Sequence, residues 1–285
     1  MARKTSKLSR PVKTIFLIYC TCFLFRAVEY FVLRTDQSVF GEAFIHKLAG
    51  IFLLVLILRY YSAGFGDIGF TARRAGRFIL YGLLLGAAVF FVAYGAEYAL
   101  QMQKGQNPQL ELYVSSFTVT GNSGNRVGLI IFAICIIGNI INVIMEEGVF
   151  RGVFIKLGEK KYSFLMTALL SSALFGFWHV TAPARSFWDG EISAQIAVIT
   201  ALMLVIPAGL MGFKLCMLTK ITGSLWMPMA DHFFNNMIVN ILHIAADTGS
   251  DQFLTLRITV AQSLSFLIVL FLFFKTGARR KKTFR

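Results

Sequence analysis

Two adjacent carboxylates, Glu146 and Glu147, lie deep in the apolar run 127–157, and Arg151 follows four residues after the second. An ionisable side chain inside a membrane-length apolar run is costly and is a functional candidate by default. Glu147 and Arg151 have the spacing of a helical ion pair with the acid N-terminal, the better orientation. Glu146 is rotated by about 100° from that pair. It has no charged partner on its own helix, although Asn139 and Asn142 share its face. A carboxylate left over from ion pairing can take a proton from water or return it to a leaving group. The bland alternative is a buried ion-pair network that only fixes helix packing.

Two further polar groups interrupt apolar runs. His179 closes the stretch Phe175-Gly176-Phe177-Trp178-His179. A lone His on an apolar helix is more often a satisfied core residue than a catalyst. Here the flanking aromatics form a dry pocket, in which a neutral imidazole can share a water with a carboxylate. His232 and Asn236, in Asp231-His232-Phe233-Phe234-Asn235-Asn236, share a helix face. Asn240 and His243 extend the same stripe. Such residues serve as polar glue between spans, or as a pair of donors for an oxyanion.

The elements that must position these groups follow from composition. The chain has 285 residues, 56% hydrophobic and only 15% charged, with a mean hydropathy of +0.68. A soluble domain carries roughly a quarter charged residues, and a disordered chain needs low hydrophobicity. The fold class expected is therefore all-α, a polytopic membrane protein. Stretches near the bilayer-spanning length of about 20 residues number eight. They run 14–33, 46–61, 78–100, 127–157, 164–181, 194–213, 225–244 and 253–274. Glu146 and His179 lie on neighbouring spans joined by the turn-like Gly158–Ser163. At 1.5 Å per residue both sit about 18–22 Å from that turn, so they can meet.

The net charge of +14 has two readings, nucleic-acid binding or cytoplasmic anchoring. Its distribution decides. Twenty of the 28 basic residues fall on one side of the eight spans and five on the other, with Arg26, Arg151 and Arg257 inside spans. The positive-inside rule then places both termini in the cytoplasm. Nucleic acid is excluded as a partner, because the cations are split among five loops and tails. The first span is read as a retained anchor, with Arg26 and Glu29 paired on one face. The loop 101–126 is external, and its middle, Leu110–Thr120, alternates as a short strand or lid would. Phe65–Phe70 with Arg73, Arg74 and Arg77 reads as an interfacial segment. The four cysteines read as small apolar fillers.

Glu146-Glu147-x-x-x-Arg151, followed by Phe175-x-x-x-His179 and His232-x-x-x-Asn236, resembles the CAAX prenyl protease and bacteriocin-processing (CPBP, Abi) family of intramembrane endopeptidases. The resemblance covers roughly Val127–Asn240. It implies an eight-helix fold with the catalytic core at 127–244. A basic cytoplasmic tail (1–13) and the first spans with the external loop (14–126) precede it; the last span and a basic tail (245–285) follow. It implies that Glu146 activates a water with help from His179. His232 and Asn236 would bind the oxyanion, with Glu147, Arg151 and Phe175 in support.

Zinc is the alternative cofactor, on Glu146, His179 and His232. The helical His-Glu-x-x-His spacing is absent, and a metal-independent glutamate mechanism is favoured. The expected partner is a membrane-associated protein or peptide, such as a prenylated C-terminal tail, reached within the plasma membrane of a prokaryote. Two other functions are weighed. A catalytically silent scaffold or bacteriocin-immunity-type protein needs no spare carboxylate. A proton-coupled transporter often shows inverted repeats, and none is visible.

Overall fold

A computed structural model describes residues 10–38, 43–116, 123–245 and 251–283. Helices dominate. α1 (Pro11–Val28) runs on through a π-helical stretch, Glu29–Leu33, and α2 (Ile45–Tyr60) returns beside it. α3 (Ala75–Gln103) follows. α4 (Leu129–Glu146) continues through a π-helical stretch, Glu147–Val153, into α5 (Phe154–Gly158). α6 (Phe164–Phe177) passes through one 3₁₀ turn into α7 (Thr181–Trp188). α8 (Ala194–Thr222), α9 (Trp226–Ile241) and α10 (Leu254–Thr283) complete the bundle. Local chemistry sets several ends. Pro11 occupies the first turn of α1, where no N–H is missed. Ser163 and Ser193 cap α6 and α8 with their side chains.

Among the described residues six stretches are long and apolar enough to cross a membrane: Pro11–Leu33, Ala75–Gln103, Leu129–Gly158, Phe164–Trp188, Ala194–Thr222 and Leu254–Gly277. The other two expected spans are helices at the expected places. However, α2 and α9 have only 16 residues each, about 24 Å at helical rise, less than the roughly 30 Å hydrocarbon core. Large apolar side chains such as Phe91, Leu129, Leu202 and Phe271 face outward, as a lipid solvent would favour.

Two small antiparallel sheets complete the described residues. β1 (Gln109–Leu112) pairs with β4 (Leu242–Ala245), and β2 (Val114–Ser116) with β3 (Ser123–Arg126). The alternating middle of the 101–126 loop thus supplies strands; residues 117–122 lie outside the described residues, as do most of the basic N-terminal tail and the last two residues of the C-terminal tail. β4 ends α9 at Ile241. It moves His243 off the α9 stripe, onto the ring of Tyr113 at 3.8 Å and beside Asp251 at 3.1 Å. Arg257 bonds that same Asp251 and Glu97, tying α10 to α3.

Two packing features place the site. An aromatic core joins α1, α2, the Glu147–Val153 stretch and α6, with Phe150, Phe154, Phe175 and Trp178 all buried. On the other flank α3 meets α9 through Gly82 and Gly86. A Cβ on Gly82 would lie 2.4 Å from the Met227 carbonyl oxygen, and one on Gly86 2.7 Å from the Phe234 ring. Small residues four apart let two backbones approach this closely.

Candidate active site

The site forms where α4 changes pitch. The π-helical stretch opens directly after Glu146 and is buried throughout. Such stretches widen the turn, leave a carbonyl without its usual partner and are frequent at functional sites. The Phe150 carbonyl accepts a hydrogen bond from Ser171 Oγ of α6 at 2.7 Å. Within the stretch Glu147 Oε1 accepts from Arg151 Nη1 at 3.1 Å, so the expected ion pair forms despite the altered pitch. The same oxygen takes a second bond, from His232 Nδ1 of α9 at 2.8 Å. The Arg151 guanidinium lies over the Phe175 ring, 3.9 Å from its centroid. Phe175 also meets both imidazoles edge-on, His179 at 5.0 Å and His232 at 6.0 Å between ring centroids.

Glu146 is the other carboxylate of this cluster, 3% exposed. Its lack of a charged partner on its own helix does not leave it without partners. Trp178 Nε1 donates to Oε1 at 2.9 Å, and Asn142 Nδ2 donates to Oε2 at 3.2 Å. His232 Nε2 stands 3.7 Å from Oε2, so the imidazole bridges the two glutamates. His179 and His232 both lie within electrostatic reach of Glu146. His179 Nδ1 donates to the Phe175 carbonyl at 2.9 Å, which leaves Nε2 as its acceptor atom. Asn139, expected beside Glu146, bonds the Cys135 carbonyl of its own helix instead.

The N-terminal helices reach the same cluster. Arg26 and Glu29 do not form the pair expected from their spacing. Glu29 accepts from the backbone N–H groups of Ile45 and His46 and lies against the His46 ring, so it caps the start of α2. Arg26 donates to Thr181 Oγ1 at 2.8 Å and to Tyr30, sits 3.4 Å from His46 Nε2, and stacks over Trp178 at 4.8 Å. Trp178 is therefore held between Arg26 and Glu146.

Asn236 lies one turn beyond His232 on α9. Its Oδ1 accepts from Asn235 Nδ2 at 3.1 Å. Asn235 Oδ1 in turn accepts from Gln262 Nε2 of α10 at 2.8 Å, and Gln262 Oε1 accepts from Lys214 Nζ of α8 at 2.9 Å. Lys214, counted from sequence among the cytoplasmic loop cations, is fully buried within α8 and paired with Asp231 at 2.6 Å.

The structure thus gathers Glu146, Glu147, Arg151, Phe175, His179 and His232 into one contact network, while Asn236 is bonded to Asn235, one turn along α9 from His232. Zinc on Glu146, His179 and His232 would need three convergent free donors. Among the described residues no three His, Cys, Asp or Glu side chains are grouped to hold a metal ion. Both Glu146 oxygens already accept hydrogen bonds from neutral donors, Asn142 and Trp178. Sequence reasoning missed Trp178, His46, Lys214 and Gln262; it placed Arg26 only as a partner of Glu29, and Asn235 only as a neighbour of Asn236. Trp178 was read only as an apolar flank, although a buried indole N–H needs an acceptor. Lys214 in a long apolar run was the other available signal.

A membrane-type helical bundle with an acid–histidine cluster at mid-span is thereby defined. Residues 128–238 match the family model of Rce1-like proteins, described as type II CAAX prenyl endopeptidase Rce1-like. This agrees with the motif resemblance and supports an intramembrane protease of CAAX type acting on a membrane-associated protein. The matched segment contains all seven candidate residues. No curated protein and no solved structure matches the chain.

Proposed function

We propose that the chain is an intramembrane endopeptidase in which Glu146 activates the attacking water. The observation that carries this reading is the division of labour between adjacent carboxylates. Glu147 is committed to Arg151 and His232, whereas Glu146 accepts hydrogen bonds from Asn142 and Trp178 and has His232 Nε2 at 3.7 Å and His179 within electrostatic reach. Glu146 takes a proton as the water oxygen bonds to the scissile carbonyl carbon. His179 Nε2 accepts the other water hydrogen and orients it. The carbonyl becomes a tetrahedral oxyanion, stabilised by Asn236 Nδ2 and by Nε2–H of a doubly protonated His232, whose Nδ1–H stays on Glu147. As the C–N bond breaks, Glu146 returns its proton to the departing amine. Glu147 and Arg151 fix His232, and Phe175 holds both imidazoles apart.

The substrate class is a membrane-associated protein or peptide, with a prenylated C-terminal tail as the specific reading. The mechanism uses no metal. The chain sits in a prokaryotic plasma membrane with both termini cytoplasmic, and 127–244 is its catalytic core. A silent scaffold has no use for the imidazole pair around Glu146, and the sequence shows none of the inverted repeats common in proton-coupled transporters.

The test is cleavage of a farnesylated C-terminal peptide by the purified protein in liposomes. Glu146→Gln is expected to lower kcat by about 10³-fold, within the usual range for a general base, with unchanged thermal unfolding. Full activity of that variant overturns the mechanism. The wild type is expected to keep its rate in a chelator. Loss of activity in chelator with recovery on adding zinc overturns the metal-free reading.

A further inference from the structure

A buried lysine far from the reacting atoms dictates which end of Asn236 can meet the substrate. An ammonium has three N–H donors and no acceptor. Lys214 Nζ donates to Gln262 Oε1 at 2.9 Å and to Ser265 Oγ at 3.0 Å, and is ion-paired with Asp231 Oδ2 at 2.6 Å. Gln262 must therefore turn its oxygen toward Lys214 and its NH₂ toward Asn235. Asn235 must answer with Oδ1, which it does at 2.8 Å. Its own NH₂ then points to Asn236 and is met by Oδ1 at 3.1 Å. Amide oxygens and nitrogens are told apart by their partners. Here the far partner can only donate, so every amide in the row has one permitted orientation.

We infer that Lys214, Gln262 and Asn235 are positioning residues that hold the Asn236 side chain with its Nδ2 turned away from Asn235, ready to donate to the oxyanion. This rests on the proposed role of Asn236. An Asn free to rotate presents its oxygen as readily as its nitrogen, and an oxygen facing an oxyanion repels it. Hydrogen-bond donors aimed before the charge develops need no reorganisation during the reaction. Lys214 belongs to α8 and Gln262 to α10, which lies outside the 128–238 segment.

Gln262→Glu tests the relay because it keeps the tie but reverses its sense. A carboxylate at 262 can only accept, so Asn235 must give it NH₂ and offer Oδ1 to Asn236. Asn236 then donates to Asn235 and turns its own oxygen to the substrate. Gln262→Met removes the tie and leaves Asn236 free. The relay predicts that Gln262→Glu lowers kcat about 10²-fold, the size of losing one oxyanion donor. KM should change little, and Gln262→Met should cost only a few-fold. A purely structural role for Gln262 predicts the reverse order, and that result overturns the relay.

In an Asn236→Ala background the two 262 variants should no longer differ. If Asn236→Ala itself keeps full activity, the oxyanion role fails first. If the wild type cleaves none of the peptides offered, ¹⁵N-asparagine-labelled protein gives an independent readout. The Asn236 side-chain amide signals, identified by their loss in Asn236→Ala, should move more in Gln262→Glu than in Gln262→Met. Equal or absent movement overturns the relay.

Discussion

Glu146 and Glu147 differ by one position and by everything around them. The division was legible in the sequence, because helical spacing assigns Arg151 to Glu147 alone. What surrounds Glu146 was not. The Trp178 donor comes from another helix, and only the packing of α6 against α4 aims an indole N–H at a carboxylate 32 residues away. Local spacing also misled at Arg26 and Glu29, where the cap of α2 and the Trp178 ring outcompete a neighbouring charge. At this scale Trp178→Phe is the informative change. It preserves most of the apolar volume and removes one donor to an ionisable group, worth about 1.5–3 kcal/mol. The expected outcome in the peptide assay is a fall in kcat of about tenfold or more, with KM nearly constant. An unchanged kcat would mean that Trp178 merely fills space.

Among the elements, the pitch change after Glu146 and the contact of α3 with α9 do most to place the site. The helices themselves were readable from hydropathy, and so was the strand character of the 101–126 loop. The π-helical stretch was not readable, because it depends on Ser171 of α6 satisfying the Phe150 carbonyl. The shortness of α9 was also hidden, since the apolar run continues through Leu242–Ala245 as a strand. Gly82 tests the α3 contact. An added methyl would meet the Met227 carbonyl oxygen and, at 2.9 Å, the Asp231 nitrogen, both backbone atoms that cannot swing aside. Gly82→Ala is expected to push α9 outward, destabilise the fold by about 1–3 kcal/mol, and weaken cleavage through His232. A lowered melting temperature with slower cleavage would bear this out. Gly76, where a methyl meets nothing, supplies the control, and Gly76→Ala should leave both unchanged.

For the whole molecule, the charge asymmetry remains the guide to orientation. Removing Lys214 from the cytoplasmic count changes it by one residue only, and the bias it leaves is still large. A cysteine-free chain carrying Thr5→Cys or Thr283→Cys should react with an impermeant maleimide only after the membrane is opened from the cytoplasmic side. Gln106→Cys should react in intact cells; the opposite pattern would invert the topology. The contact of Arg26 with Trp178 has a bearing on how this architecture can be cut or recombined. The segment that matches the Rce1-like family begins at residue 128, yet a side chain from the first helix steadies the indole bonded to Glu146. The matched segment is therefore not a transplantable module. Grafted behind a foreign set of N-terminal helices, it should insert and yet turn over slowly until an arginine is restored opposite the tryptophan.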